Sequence, residues 1–277
     1  MFKKIFTAVL AAVMLALSAP QYCTAENETE TLALPIVMYH HMSPKARLWG
    51  KYVLSVEQFE NDLAWLRDNG YTAITTDELR AWCRGEAEMP EKPVMITFDD
   101  GYESTFVYAL PLLEKYAMPG VISVIGSVAQ QYTDIPDHNL DYSHMSWEQV
   151  TKADQSEFAE IQCHTYDMHQ LSPRKGCSRM SGENDQGYRQ ALEKDISLFQ
   201  EAFQAHTGHR TTALALPFGF CSGSTTDIAA DMGFDMVFTC TEQVNHLTGD
   251  MRELMELGRY NRPNGISSEK FFAQWEK

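Results

Sequence analysis

Two adjacent aspartates, Asp99 and Asp100, end the apolar run PVMITF and are followed at once by Gly101. Like charges side by side repel, so such a pair persists where solvent screens it or where a cation relieves it. Further along, HTYDMH sets His164 and His169 five residues apart. On a helix that spacing would turn the imidazoles ~140° from one another, whereas a loop leaving a strand can curl both toward one point. Two imidazoles and one carboxylate form a three-donor set for a divalent metal, with a position left open for water. The second carboxylate is then free for a separate task, taking a proton as a general base. Each feature also has a plainer reading, a DDG turn capping a strand and a loop with two solvated histidines.

Residues so far apart in the chain need a scaffold to bring them together. LPIVMYHH, PVMITF, VISVIGS, FAEIQCH, TTALALPFG and FDMVFTC read as short buried strands. Helical segments lie between them. SVEQFENDLAWLRDNG opens with a capping box of Ser55 and Gln58 and stops at Asn69-Gly70. Thr75 with Glu78, and Ser146 with Gln149, repeat the device, and YRQALEKDISLFQEAFQAHTG is a long helix. Alternating strands and helices without tight hairpins predict a parallel sheet covered by helices, either closed as a barrel or open and doubly wound. Both architectures gather chemistry at the carboxyl ends of strands. There the chain places His40 and His41, the aspartate pair, the HTYDMH histidines, and Pro217, Phe218 and Gly219.

The 277 residues suffice for one large domain with a sizeable core. MFKKIFTAVLAAVMLALSAP has the basic, apolar and small-residue layout of a secretory signal, and its apolar part is too short to span a bilayer. Residues 1–25 are therefore expected to be a signal peptide cut after Ala25, residues 26–33 a polar linker, and residues 34–277 a single folded domain that carries the motifs above. The expected location is outside the cytoplasm, secreted or in the cell envelope. Net charge is −16, and loss of Lys3 and Lys4 with the signal makes it −18. Such a surface repels nucleic acid and anionic membranes. Five cysteines would remain, an odd number without a CxxC pair, which argues against a cysteine-based zinc or redox site.

TFDDGY, HTYDMH and ALPFG, in that order, resemble the three main motifs of polysaccharide deacetylases, the NodB-homology group or carbohydrate esterase family 4. The likeness extends to LPIVMYHHM, MSWEQV and LGRYNRP, and so spans nearly all of residues 34–277. It implies a distorted (β/α) barrel of seven parallel strands that hydrolyses N-acetyl groups on an N-acetylglucosamine-containing polysaccharide. Carried over by motif, Asp99 is the general base. Asp100, His164 and His169 hold a divalent metal, foremost Zn2+, with Co2+, Ni2+, Mn2+ and Fe2+ as alternatives. The backbone N–H of Phe218 serves the oxyanion, and Tyr102, Pro217 and Trp49 are candidate substrate contacts.

Three departures stand out. The histidines are five apart rather than four, as in the branch that deacetylates poly-N-acetylglucosamine. Ala215 stands where the third motif usually carries an arginine that braces the base. The late Leu-x-His motif, source of the general acid, reads Leu257-Gly258-Arg259, and arginine cannot give up its proton at useful pH. His41, His40 and His246 are candidate substitutes, with His41 put forward as acid or substrate contact. Acetyl-xylan or other ester and amide hydrolysis, and a glycan-binding pseudoenzyme, are the competing expectations.

Overall fold

The computed structural model describes residues 31–276. The proposed signal peptide and most of the linker lie outside the described residues.

Seven strands form one parallel sheet: β1 (Ile36–Tyr39), β2 (Pro93–Phe98), β3 (Gly120–Val124), β4 (Ala159–Cys163), β5 (Ala213–Ala215), β6 (Met236–Phe238) and β7 (Tyr260–Asn261). Their order in space is β6-β5-β4-β3-β2-β1-β7, and a short strand, Thr72–Ala73, also pairs with β2. The sheet curls until its edges approach. Leu257 N–H donates to the Val237 carbonyl and Thr239 N–H to the Leu257 carbonyl, after which Tyr260 and Asn261 pair with Val37 and Met38 of β1. One segment thus spans the gap between the two edges, giving the expected distorted barrel.

The strands β2 and β3 are buried at every position, as parallel strands covered on both faces must be. Their side chains alternate. Ile36, Met95, Val121, Ala213, Ala215, Met236 and Phe238 pack together as one apolar cluster. Val37, Ile96, Phe98, Ile122, Val124, Ile161, Leu214 and Val237 join a second, larger one under the helices. The period of two along each strand separates the barrel interior from the layer outside it.

That outer layer is made by α1 (Val56–Asp68), α2 (Thr76–Cys83), α3 (Leu110–Tyr116), α4 (Gly126–Asp134), α5 (Trp147–Asp154), α6 (Asp185–Thr207), α7 (Thr225–Asp231) and α8 (Ser268–Phe272). The expected reciprocal boxes form at Thr75–Glu78 and Ser146–Gln149. At α1 the Ser55 hydroxyl caps Gln58 N–H, but the Gln58 side chain turns instead to Ile266 and Gly265, so that box is half-made. The helix α4 has no capping side chain and no sequence signal of its own. The segment leading into α3 is a π-helical stretch, Thr105–Ala109.

Candidate active site

At the carboxyl ends of the strands lies a cavity of about 380 Å³ whose walls include His40, Asp99, Asp100, Tyr102, His164, His169 and Phe218. Each follows a strand directly or within a short turn. His40 follows β1, the aspartates β2, the histidines β4, and Phe218 the short strand β5.

The turns that aim these groups are strained. Among the described residues, four non-glycine residues have positive φ, and three of them are Asp100 (φ 70), Thr165 (φ 67) and Phe218 (φ 57). Such positions cost about 1–3 kcal/mol each and persist where the surroundings enforce them. Gly101 follows Asp100 with φ 68, and a Cβ there would sit 3.2–3.3 Å from Val124, so the turn has neither the conformation nor the room for a side chain. Gly219 plays the same part after Phe218, where a Cβ would approach Cys240 to 2.9 Å.

Asp100, His164 and His169 converge. Asp100 Oδ1 lies 3.3 Å from His164 Nε2 and 3.1 Å from His169 Nε2, and the three donor atoms fall within 4.8 Å of one another. His164 Nδ1–H donates to the Ala215 carbonyl at 2.9 Å, which leaves its Nε2 lone pair facing the carboxylate. Asp100 Oδ1 is buried without an ordinary hydrogen-bond donor. A buried anionic oxygen between two imidazole nitrogens fits a divalent cation, and one carboxylate with two imidazoles suits zinc and its neighbours. Burial opposes ionisation of Asp100, but His164 and His169 outweigh it and hold the carboxyl well below the usual carboxylate range.

Asp99 is built differently. It is 3% exposed, and Arg259 grips it with both arms of its guanidinium, Nη1 to Oδ1 at 2.7 Å and Nη2 to Oδ2 at 2.7 Å. Burial pushes this carboxyl up, yet the Arg259 charge prevails and holds it below its ordinary value. The guanidinium is itself fixed by Thr239 and Thr97. Arg259, immediately before β7, therefore supplies the brace that Ala215 on β5 does not. The arginine that grips Asp99 thus stands at the position where the late motif leads one to expect a histidine. The signal was present, an arginine missing at one motif and gained at another, but only the barrel closure shows that Arg259 reaches this carboxylate.

Other expected residues fall less neatly. His41 lies outside the cavity. Its N–H pairs with Tyr52 as the chain enters a new short ladder with Val53, and its Nδ1 meets Ser104 Oγ at 2.8 Å. Neighbours on an extended chain point to opposite sides, so His40 faces the cavity and His41 cannot. His41 is thereby corrected to a supporting position behind Tyr102, whose ring it meets at 4.8 Å. His246 pairs with Ala33 at the amino end of the barrel, opposite the cavity. Trp49 does not line the cavity. Its indole N–H donates to the Ser43 carbonyl, while its neighbours Lys51 and Tyr52 form part of the rim. Pro217 is buried beneath the turn it shapes and also makes no part of the wall. Asp167 bonds Ser127 Oγ rather than either imidazole. Cys240, Glu242 and Asn261 line the cavity without having been expected there. The five described cysteines are all free, Cys163 and Cys177 buried as small apolar residues and Cys221 exposed.

A parallel barrel with a carboxylate-histidine centre and a braced second carboxylate at its strand ends is the architecture of a barrel hydrolase. The sequence model of the polysaccharide deacetylase family matches residues 86–237, more than half the chain, and the chain belongs to that family. Poly-beta-1,6-N-acetyl-D-glucosamine N-deacetylase of Escherichia coli is 24% identical over 222 residues, 73% of this chain but 33% of the relative. This chain thus spans about a third of that protein's length. A structure of IcaB from Ammonifex degensii is 27% identical with a TM-score of 0.72, covering 88% of this chain and 97% of that one. The Streptococcus pyogenes deacetylase PplD in complex with acetate shares the fold at 20% identity, with a TM-score of 0.72 over 89% of this chain and 100% of that one.

Proposed function

We propose that this protein is a metal-dependent deacetylase that hydrolyses N-acetyl groups on a poly-N-acetylglucosamine-type glycan, releasing acetate and leaving a free amine. The observation that carries the reading is the division of labour between adjacent carboxylates. Asp100 turns to two imidazoles, while Asp99, held by Arg259, keeps acceptor capacity toward the same cavity. A glycan-binding module has no use for that spare carboxylate. The five-residue histidine spacing and the likeness to proteins named for poly-N-acetylglucosamine deacetylation point to the glycan.

Asp100, His164 and His169 would hold the cation, with Zn2+ best suited to the donor set. When bound, it supplies Lewis acidity, acidifying a water and drawing electron density from the acetyl carbonyl. Asp99 accepts the proton as water attacks the carbonyl carbon, and the Arg259 clamp keeps its carboxylate ionised and in one plane. The Phe218 N–H, on a turn held at positive φ, is the donor for the developing oxyanion. His40 then delivers a proton to the departing nitrogen. Burial outweighs the opposing pull of Asp99 and Asp100 and leaves its pKa below the ordinary histidine value. Tyr102, its ring stacked on His144 at 4.3 Å, forms a fixed wall against the sugar.

The same reading places residues 1–25 as a signal peptide, 26–33 as a linker and 34–277 as the catalytic domain, acting in the envelope or medium. Described residues from Thr31 onward belong to one compact unit, and no described helix is long and apolar enough to cross a membrane. The test is acetate release by the zinc-loaded protein from chitin oligomers, poly-N-acetylglucosamine, peptidoglycan fragments and acetylated xylan. Release from an N-acetylated glycan that ends on chelation is expected. Release from xylan alone would overturn the amide reading, and release from none would favour a pseudoenzyme.

A further inference from the structure

The loop between His164 and His169 must hold two imidazoles at one point while carrying a strained residue, Thr165. Its four intervening N–H groups can be accounted for completely. Thr165 N–H faces Cys163 Sγ at 3.3 Å, and Met168 N–H donates to Thr165 Oγ1 at 3.3 Å, both local and weak. The middle two leave the loop. Tyr166 N–H donates to Asp195 Oδ1 and Asp167 N–H to Asp195 Oδ2, each at 2.8 Å. Asp195 stands on α6 and is 8% exposed, flanked by the fully buried Leu192, Ile196 and Phe199. On the other side, the Thr165 and Tyr166 carbonyls accept from Gly126 and Ser127 at the start of α4.

We infer that Asp195 is a positioning residue for the cation site, setting from α6 the loop that brings His169 to His164. This rests on the reading that Asp100, His164 and His169 hold a divalent cation. The residue type follows from the demand. Two successive N–H groups donate to separate oxygens and need two acceptors on one rigid side chain. Asparagine offers one oxygen and turns an NH₂ donor toward the other N–H. Neither imidazole touches Asp195, so its influence runs through the backbone. Groups that orient metal ligands in this indirect way typically change affinity by about 10–100-fold when removed.

The experiment measures zinc affinity of the full chain by competition with a chromophoric chelator, with thermal melts of zinc-free and zinc-loaded protein alongside. Parental chain, Asp195→Asn and Glu201→Gln are compared, the last an exposed change on the same helix. Asp195→Asn is expected to weaken zinc binding by about 10–100-fold and to shrink the zinc-induced rise in Tm. Its kcat should recover at saturating zinc, and Glu201→Gln should match the parent. A merely structural role would lower the zinc-free Tm and leave the affinity of folded protein unchanged. Affinity within threefold of the parent, or an equal loss in Glu201→Gln, overturns the proposal. Should Asp195→Asn fail to fold, Asp195→Ser, which keeps one short acceptor, carries the same expectation and the same refutation. A parental chain that binds no zinc would remove the cation reading and this inference together, and that outcome is read from the parent alone.

Discussion

Arg259 and Arg262 flank the two residues of β7, and each makes a two-armed pair with a buried carboxylate, yet the pairs have different surroundings. Arg262 meets Asp62 through Nε at 2.8 Å and Nη2 at 2.9 Å, and both side chains are fully enclosed. Asp62 Oδ1 also accepts from Ser268, and Oδ2 from the Tyr39 hydroxyl. The Arg262 guanidinium donates further to the Pro263 and Ile266 carbonyls. Each Asp62 oxygen thus receives two donors, which exhausts its lone pairs. Asp99 receives donors from Arg259 only, among the described residues, and its remaining acceptor capacity faces the cavity. A buried ion pair by itself says little about function. Unspent acceptor capacity beside an open space is what separates a working carboxylate from a structural one.

The sharpest way to break this comparison is to disable each carboxylate system in turn. Asp99→Asn keeps the shape and one acceptor oxygen but loses the negative charge that takes up a proton. Acetate release should fall by about 10²–10⁴-fold while bound zinc, measured by elemental analysis, stays at the parental level. Parental turnover in this variant would strip Asp99 of its role. Arg262→Ala should act on the fold instead. It leaves Asp62 buried and unpaired, at a cost of about 3–5 kcal/mol in urea unfolding, with activity per folded molecule preserved. If that variant lost turnover in excess of its unfolded fraction, the division into two regions would fail.

Arg259→Lys sharpens the same contrast. Lysine retains the charge but presents a point rather than a planar fork, so Asp99 stays ionised and loses its fixed plane. Turnover should drop about tenfold, equivalent to about 1.4 kcal/mol of barrier. Thermal stability should fall less than in Arg262→Ala. A purely structural Arg259 would reverse that ranking.

Much of this arrangement was legible in the chain. The aspartates, the histidines and the PFG turn declare themselves because strand ends in a parallel sheet converge, and the strands are short apolar runs with clear boundaries. What escaped depends on closure. Arg259 braces Asp99 across a 160-residue separation because the segment Leu257–Asn261 joins both sheet edges, and no local pattern encodes that meeting. The choice between His40 and His41 turns on a single step of strand alternation where one ladder ends and another begins. Asp195 looks like any polar residue on a long helix until the loop it holds is placed above it.

Tyr39 joins the two regions and offers the finest test of their independence. It immediately precedes His40, packs its ring on Phe59 at 5.0 Å and Phe98 at 5.5 Å, and donates its hydroxyl to Asp62. Tyr39→Phe keeps the ring contacts and removes one of the four donors on that carboxylate. Because Arg262 and Ser268 still hold Asp62, the loss should be about 1 kcal/mol, near that of one hydrogen bond. For a domain of this size that lowers Tm by about 2–4 °C. His40 should keep its place, since the strand backbone rather than the Tyr39 hydroxyl sets its direction, and acetate release should stay within twofold of the parent. A larger kinetic effect than thermal effect would mean that the Asp62 pair reaches the cavity through β1, and that the structural and working carboxylates form one network.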